Sequence, residues 1–439
     1  MRHILIVCYD FPLISSAGVI RIYQFAKRLP EFGWQPVILT AQACDRKCDD
    51  NIEISDGKLP CPKITAATSR FAVPVRIDHR AARKSDDPNG FQGMTGLARF
   101  AAHFAVPDGK IGWMISAVKR GMQIAREYPV QACFSVSPRP TAHFVACRLA
   151  RRLNIPWVAD FALPWSDAYW LARRPSLVAW LDQRMEAFVM GSAQRISVAY
   201  PELARSLAAR HGAVCEDKIA VVPTGFDEEL FVGEDPTPPA KFTVVYPGNH
   251  FCEEGRHGQY FLKAVDEWID RAPCLKDKVE FVFIGKRDDA LLQQRMMMAH
   301  PEVIRVEPLV SHRTCIQAIL SSHLCVVNTI GNRIPAKVYE CMRAGKWILA
   351  LTDPRSDLDS LIRYYPQGIS IPPKDGTAVR RVLERLWREK SPTPSAAAAE
   401  ASLIPYSSDR SAQSLARLLD AASSGRTFAS DPRKDSLCS

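Results

Sequence analysis

The sequence predicts an α/β protein built as two doubly wound domains, each a parallel sheet covered by helices, facing each other across a central cleft. Three observations carry that expectation. Short apolar strand patterns alternate with helical ones along most of the chain, the rhythm of parallel strands joined by crossover helices. The rhythm breaks at Val232-Gly-Glu-Asp-Pro-Thr-Pro-Pro-Ala240, where turn formers and stiff prolines replace apolar periodicity. At 439 residues the chain is long enough for two separate cores.

The first element is a strand from His3 to Cys8. A loop of small and turn-forming residues runs from Tyr9 to Gly18. Val19, Ile22, Tyr23, Ala26 and Leu29 then recur at helical spacing, Gly33 stops that helix, and Pro36 to Thr40 is the next strand. Residues 41–93 read as loops with short strands. Helices follow on the faces Leu97–Phe104 and Met114–Ala125. The alternation resumes with strand Val130–Val136, helix Thr141–Leu153, strand Trp157–Phe161, helix Leu177–Gly191, strand Arg195–Ala199, helix Pro201–Arg210 and strand Ile219–Val222. After the linker come strand Phe242–Tyr246, helix Gly258–Ile269, strand Val279–Ile284, helix Asp289–His300, helix Ser311–Ser321 and strand Leu324–Asn328. The expected domains are 1–231 and 241–403, with a helix within 404–422 and a polar, disordered tail over 423–439.

Composition narrows the function classes. With 47% hydrophobic and 24% charged residues the chain reads as globular, and no run approaches the ~20 apolar residues of a membrane span. A strand within four residues of the start leaves no room for a signal peptide, so a cytoplasmic protein is expected. The 13 cysteines show no repeated pair spacing. Cys44 and Cys48 lack the second pair and histidines of a zinc set, so reduced thiols and no metal are expected. The net charge of +10 suits an anionic membrane or phosphorylated substrates. Basic residues are interspersed with acidic ones and no nucleic-acid motif accompanies them, so no nucleic-acid partner is expected.

The most informative segment is Ile334-Pro-Ala-Lys-Val-Tyr-Glu-Cys-Met-Arg-Ala-Gly-Lys-Trp-Ile-Leu-Ala-Leu351. It reads as a short helix opened by Pro335 in its first turn and closed by Gly345, followed by a strand from Trp347 to Leu351. Glu340 stands among apolar neighbours one turn after Lys337, and burying a carboxylate is costly unless it is hydrogen-bonded. Two adjacent ribose hydroxyls would satisfy it. The alternative is a pair with Lys337 or Arg343 on the helix surface. Strand ends at Gly248-Asn249, Gly285-Lys286 and Asn328-Thr329 offer small or polar residues, and glycine there lets a phosphate approach backbone. Arg256 offers a donor fork suited to a diphosphate, and Lys337 a point charge. Dinucleotide and P-loop glycine motifs are absent.

These segments resemble family-4 retaining glycosyltransferases of the GT-B fold, two Rossmann-like domains. The likeness rests on the Lys337-x-x-Glu340 segment and on Tyr9-Asp-Phe-Pro-Leu-Ile-Ser-Ser-Ala-Gly18. It also rests on Pro107-Asp-Gly-Lys-Ile-Gly-Trp113, Ser135-Val-Ser-Pro-Arg-Pro-Thr-Ala-His143 and Pro223-Thr-Gly-Phe-Asp227. It implies a nucleotide-sugar donor, with Glu340 on the ribose and Arg256 and Lys337 on the diphosphate. Gly18 would approach the donor phosphate, and His143 would lie on the acceptor side, as a catalytic group or as a locally satisfied helix histidine. The catalytic set is thus Arg256, Lys337, His143 and Asp160; the donor-binding set is Gly18, Gly248, Asn249, Gly285 and Glu340. The helix Ser408–Ala421 would cross back onto the first domain.

Two positions depart from the family pattern. Asn332 stands where many members carry a second glutamate. Ala162 and Leu163 replace an Arg-Asp pair after Asp160, which implies either a different acceptor or lost catalysis. The leading expectation is a retaining hexosyl transferase acting on a saccharide or lipid-linked acceptor in cell-envelope or exopolysaccharide synthesis, at the inner face of the membrane. A catalytically silent glycosyltransferase-like binding protein that recruits partners is the main alternative, and a nucleotide-sugar epimerase a third. Neither a cofactor nor a metal is expected beside the co-substrate.

Overall fold

The structure is a computed structural model and describes residues 1–11, 17–41, 63–66, 106–166, 174–212, 217–233, 239–252, 256–389 and 404–425. The helix expected at 97–104, Cys44, Cys48 and the tail beyond 425 lie outside the described residues.

In chain order the first part contains β1 (Arg2–Val7), α1 (Ala17–Arg28), β2 (Trp34–Thr40), β3 (Lys63–Ala66), α2 (Trp113–Glu127) and β4 (Val130–Val136). It continues with α3 (Thr141–Leu153), β5 (Trp157–Phe161), α4 (Ser176–Ser192), β6 (Arg195–Val198), α5 (Pro201–His211) and β7 (Ile219–Val221). The second part contains β8 (Phe242–Pro247), α6 (Gly258–Arg271), β9 (Val279–Ile284), α7 (Asp289–Met296), β10 (Ile304–Glu307), α8 (His312–Leu320) and β11 (Leu324–Asn328). It ends with α9 (Lys337–Arg343), β12 (Trp347–Leu351), α10 (Asp357–Tyr364), β13 (Gly368–Ile371), α11 (Gly376–Arg388) and α12 (Ser408–Ser424).

Chain contacts divide the described residues into two compact units, which meet in sequence at Thr224/Gly225 and again at Ser407/Ser408. The first division lies upstream of the expected boundary at 231. Phe226 belongs to an apolar cluster of the second unit, and Glu228 accepts from Arg343 Nε at 2.7 Å.

Among the described residues the first unit holds a seven-stranded parallel sheet in the order β3-β2-β1-β4-β5-β6-β7. Ile4, Leu5, Ile6 and Val7 are wholly buried, as a parallel strand covered on both faces requires. α12 belongs to this unit. Its Leu415, Leu418 and Leu419 are buried, while Asp420 accepts from Trp34 Nε1 at 3.1 Å and Asp409 pairs with Arg28 at 3.0 Å.

The second unit holds a six-stranded parallel sheet in the order β10-β9-β8-β11-β12-β13. Four of its elements carry no expectation from sequence: the four-residue edge strands β10 and β13, and helices α10 and α11. α7 ends at Met296, short of the expected His300. The backbone N–H groups of Ala299 and His300 donate to Asp266, each at 3.1 Å, instead of continuing the helix. Among the described residues no helix is long and apolar enough to cross a membrane.

Candidate functional site

In an open doubly wound sheet, ligands bind beyond the carboxyl ends of the strands where the strand order reverses. In the second unit that point lies between β8 and β11. Tyr246 Oη donates to the Asn249 carbonyl at 2.8 Å, and Asn249 Oδ1 accepts from Lys286 N at 2.8 Å. Asn249 therefore ties together the two strand ends. A Cβ on Gly285 would collide with the Gly248 carbonyl oxygen, so this glycine serves the approach of β9 to β8. Asn328 Nδ2 donates to Phe251 O at 2.9 Å, and its own carbonyl accepts from Arg256 Nη1 at 2.8 Å. Arg256 is thereby fixed at the end of β11. Its buried Nε has no hydrogen-bond partner among the described residues, leaving a guanidinium edge that an anion could satisfy.

The short helix α9 holds the carboxylate. Pro335 lies just before the Ala336 cap rather than inside the helix, and its carbonyl accepts from Val338 N at 3.1 Å. At the other end Gly345 adopts φ +66°, and the N–H groups of Gly345 and Lys346 return to the Met342 and Cys341 carbonyls at 2.9 and 3.2 Å. Only a residue free of Cβ crowding takes that left-handed turn cheaply. Glu340 is 2% exposed. Its Oε2 accepts from Lys337 Nζ at 2.8 Å and its Oε1 from His312 Nε2 on α8 at 2.7 Å. Burial opposes the charge, but Lys337 and His312 outweigh it and hold the carboxyl down at about 2. Glu340 is thus an ionised acceptor whose partners reach the surface, with side-chain exposures of 25% for Lys337 and 21% for His312. Arg343 takes no part in it and pairs with Glu228.

His312 was not singled out from sequence. A histidine in the first turn of a helix carries no sign of its partner 28 residues later. Asn332, at the family's second-glutamate position, accepts from Asp357 N at 2.6 Å. It satisfies a backbone donor at the start of α10, a structural task.

The first unit treats its expected site residues differently. Gly18 is buried in the first turn of α1, and the loop before it lies outside the described residues. Asp160 is wholly buried beneath the sheet's helical cover. It accepts from Arg21 Nε and Nη2 at 3.0 and 2.7 Å and from Ser197 Oγ at 2.6 Å. His143 is also wholly buried; Ser135 Oγ lies 2.8 Å from its Nδ1, and its ring stacks on Phe161 at 5.0 Å. Burial pushes its pKa down to about 3, so the ring is neutral at physiological pH. Asp160 is thus enclosed with its partners, whereas the buried Nε2 of His143 has no hydrogen-bond partner among the described residues. Ala162 N donates to Ser137 Oγ at 2.9 Å, closing the end of β5.

The polar groups at this sheet's own reversal, between β1 and β4, are others. Arg139 Nε donates to Asp10 Oδ2 at 2.8 Å, and Lys110 Nζ lies 5.3 Å over the Tyr9 ring. Both Asp10 and Arg139 lie inside the strand-end segments quoted above, which was the available signal. Asp108 accepts from Thr141 N and Oγ1 at 2.9 and 2.7 Å, so its segment anchors the start of α3.

Residues 17–225 match the family described as Glycosyl transferase 4-like domain. The matched segment runs from the start of α1 to the boundary between the two units. HepE of Anabaena, solved in complex with UDP and with UDP-glucose, is 12% and 13% identical, with TM-scores of 0.64 and 0.63. In both comparisons 96% of this chain and 100% of that chain are covered. Sucrose-phosphate synthase of Thermosynechococcus elongatus is 13% identical at a TM-score of 0.62, covering 97% of this chain and 100% of that one. A UDP-N-acetylglucosamine 2-epimerase is 12% identical at a TM-score of 0.52, covering 98% and 99%. At such identities the likeness establishes the fold, the two Rossmann-like domains of GT-B proteins. Among curated proteins none matches the chain.

Within this fold the first unit presents the Asp10–Arg139 pair at its sheet reversal. The second unit presents the free edge of Arg256 and the ionised Glu340. The first arrangement can exchange hydrogen bonds with hydroxyls; the second can hold an anion and a diol.

Proposed function

We propose that the protein is a nucleotide-sugar-dependent glycosyltransferase that binds its donor in the second unit and transfers a hexosyl group with retention of configuration. Glu340 is the observation that carries the reading: a buried carboxylate kept ionised by partners that are themselves partly exposed. Both of its oxygens keep a second lone-pair direction for the hydroxyls of a ribose. Arg256 and Lys337 take the donor diphosphate. HepE, solved with UDP and UDP-glucose on the same fold, supports a uridine nucleotide as the first donor to test.

In the reaction an acceptor hydroxyl attacks the anomeric carbon on the face the diphosphate is leaving. The new carbon–oxygen bond forms as the bond to the β-phosphate oxygen breaks, and the acceptor proton passes to that oxygen. Arg256 and Lys337 stabilise the charge that collects on the diphosphate, fixed electrostatics of the kind that dominate many transfers. No protein nucleophile is required. The acceptor we propose is a saccharide or lipid-linked saccharide of envelope or exopolysaccharide synthesis.

Calorimetry with UDP and UDP-sugars tests the donor half. Binding by the wild type, weakened at least tenfold in Glu340→Gln and Arg256→Ala, is expected; unchanged affinity in both variants would sink the assignment. A second reading, donor binding without transfer, is favoured by the enclosure of Asp160 with Arg21 and Ser197. Donor affinity with no release of free nucleoside diphosphate in the presence of envelope saccharides would select it.

A further inference from the structure

One helix of the first unit buries two carboxylates beside Val178, Val189 and Met190 and leaves large apolar side chains outside. α4 turns Asp182 and Glu186 inward, 1% and 0% exposed, while Leu177, Trp180, Leu181 and Phe188 face outward at 68%, 52%, 36% and 42%. The carboxylates lock this orientation. Asp182 pairs with Arg174 and accepts from Trp165 Nε1 at 3.4 Å. Glu186 accepts from Ser166 N, Ser166 Oγ, Arg210 Nη1 and His211 Nε2 at 2.9, 3.0, 2.8 and 2.7 Å. Turning the apolar side inward would expose neither cost nor gain alone: it would strand those cations and carboxylates, so the outward Leu, Trp and Phe are built into the fold.

The neighbouring helix extends the face. Phe188 stacks on Phe144 of α3 with centroids 6.1 Å apart, and the Arg151 guanidinium of α3 lies 5.3 Å over the Phe188 ring. Arg184 stands 5.6 Å from the Trp180 ring. Arg148, Arg151 and Arg184 are exposed, α3 contains no acidic residue, and the only acids of α4 are the two buried ones. The surface these helices present is therefore apolar and cationic, with no carboxylate of its own.

We infer that the α3–α4 face docks the protein onto an anionic lipid bilayer. Trp, Leu and Phe are the side chains that enter the boundary between headgroups and acyl chains, and arginine stems lie along apolar surface while their heads reach lipid phosphates. Charge decides between a bilayer and a second copy of this chain. A two-fold contact through this face would set its arginines against their own counterparts with nothing to offset them, whereas an anionic leaflet complements them. The inference goes beyond the transferase reading and stands without it.

Flotation of the full chain with vesicles tests it. Co-flotation with phosphatidylcholine vesicles containing phosphatidylglycerol, and not with phosphatidylcholine alone, is expected. Trp180→Glu and Phe188→Glu should each lower the bound fraction by about tenfold. Arg148→Gln and Arg151→Gln should each lower it on the order of fivefold. These side chains are exposed or half-buried outside the core, and an unchanged thermal melt shows that each variant is folded. Absence of the wild type from the anionic vesicles overturns the inference, as does undiminished flotation of Trp180→Glu. A concentration-dependent dimer in light scattering that Phe188→Glu dissolves would assign the face to a second copy instead.

Discussion

Each unit buries a carboxylate against a cation, and the two arrangements serve opposite ends. In the first, Asp160 and Arg21 are both fully enclosed, and Ser197 adds a further donor to the same carboxylate. In the second, Glu340 is as deeply placed, but Lys337 and His312 reach the surface. Sequence marked both carboxylates as site residues. The difference teaches that a buried acid becomes a candidate binding group through the exposure of its partners, since a sealed pair leaves no direction from which a ligand can approach.

The largest effect that would break this contrast belongs to the sealed pair. Asp160→Ala leaves Arg21 buried without its counter-charge and should cost about 3–5 kcal/mol of stability in urea unfolding. The folded fraction should bind nucleotide with wild-type affinity. Glu340→Gln should do the reverse: a loss of about 1–2 kcal/mol in stability, its partners being able to turn to water, and at least a tenfold loss of nucleotide affinity. Comparable stability losses in the two variants would erase the distinction.

A pH titration sharpens it from another side. His143 has its pKa depressed to about 3 by burial, so the unfolded chain takes up this proton near 6.5 and the folded chain does not. Its contribution is present above about pH 6.5 and is lost as pH falls toward 3, at up to about 1.4 kcal/mol per pH unit. His143→Phe should flatten that limb in acid unfolding monitored by circular dichroism. Glu340, held at about 2, loses its contribution lower, between about 4.5 and 2.

Smaller effects follow from the partners. His312→Ala should weaken nucleotide binding about fivefold by freeing one oxygen of Glu340, and His312→Gln should restore most of it; equal losses would mean that the hydrogen bond positions nothing. Arg305→Ala removes an exposed pairing with Glu280 and Glu307 and should change stability by less than about 0.5 kcal/mol.

Much of the fold was legible. α3, β5, β9, β11 and β12 occupy the expected residues without adjustment, because each combines sharp apolar patterning with a clear start or stop. The unassigned stretch after Leu351 was partly legible too. Ser356 caps α10 by accepting from Asp359 N at 3.0 Å, and Asp375 caps α11 by accepting from Ala378 N at 2.9 Å. Those are local signals that sequence displays. The edge strands β10 and β13 are four residues each and too short to show a period.

The sequence by itself determined the two α/β units and the short helix bearing Glu340, because each depends on neighbours within a few residues; it left Lys337 and Arg343 both open as partners of Glu340. Only the tertiary structure decided the partner list. His312 reaches Glu340 across 28 residues, Arg21 reaches Asp160 across 139, and Asp10 reaches Arg139 across 129. The burial of the α4 carboxylates belongs to the same class, since Asp182 and Glu186 turn inward only where Arg174, Arg210 and His211 are waiting. A charge's worth depends on what surrounds it in space, and no spacing along the chain encodes that.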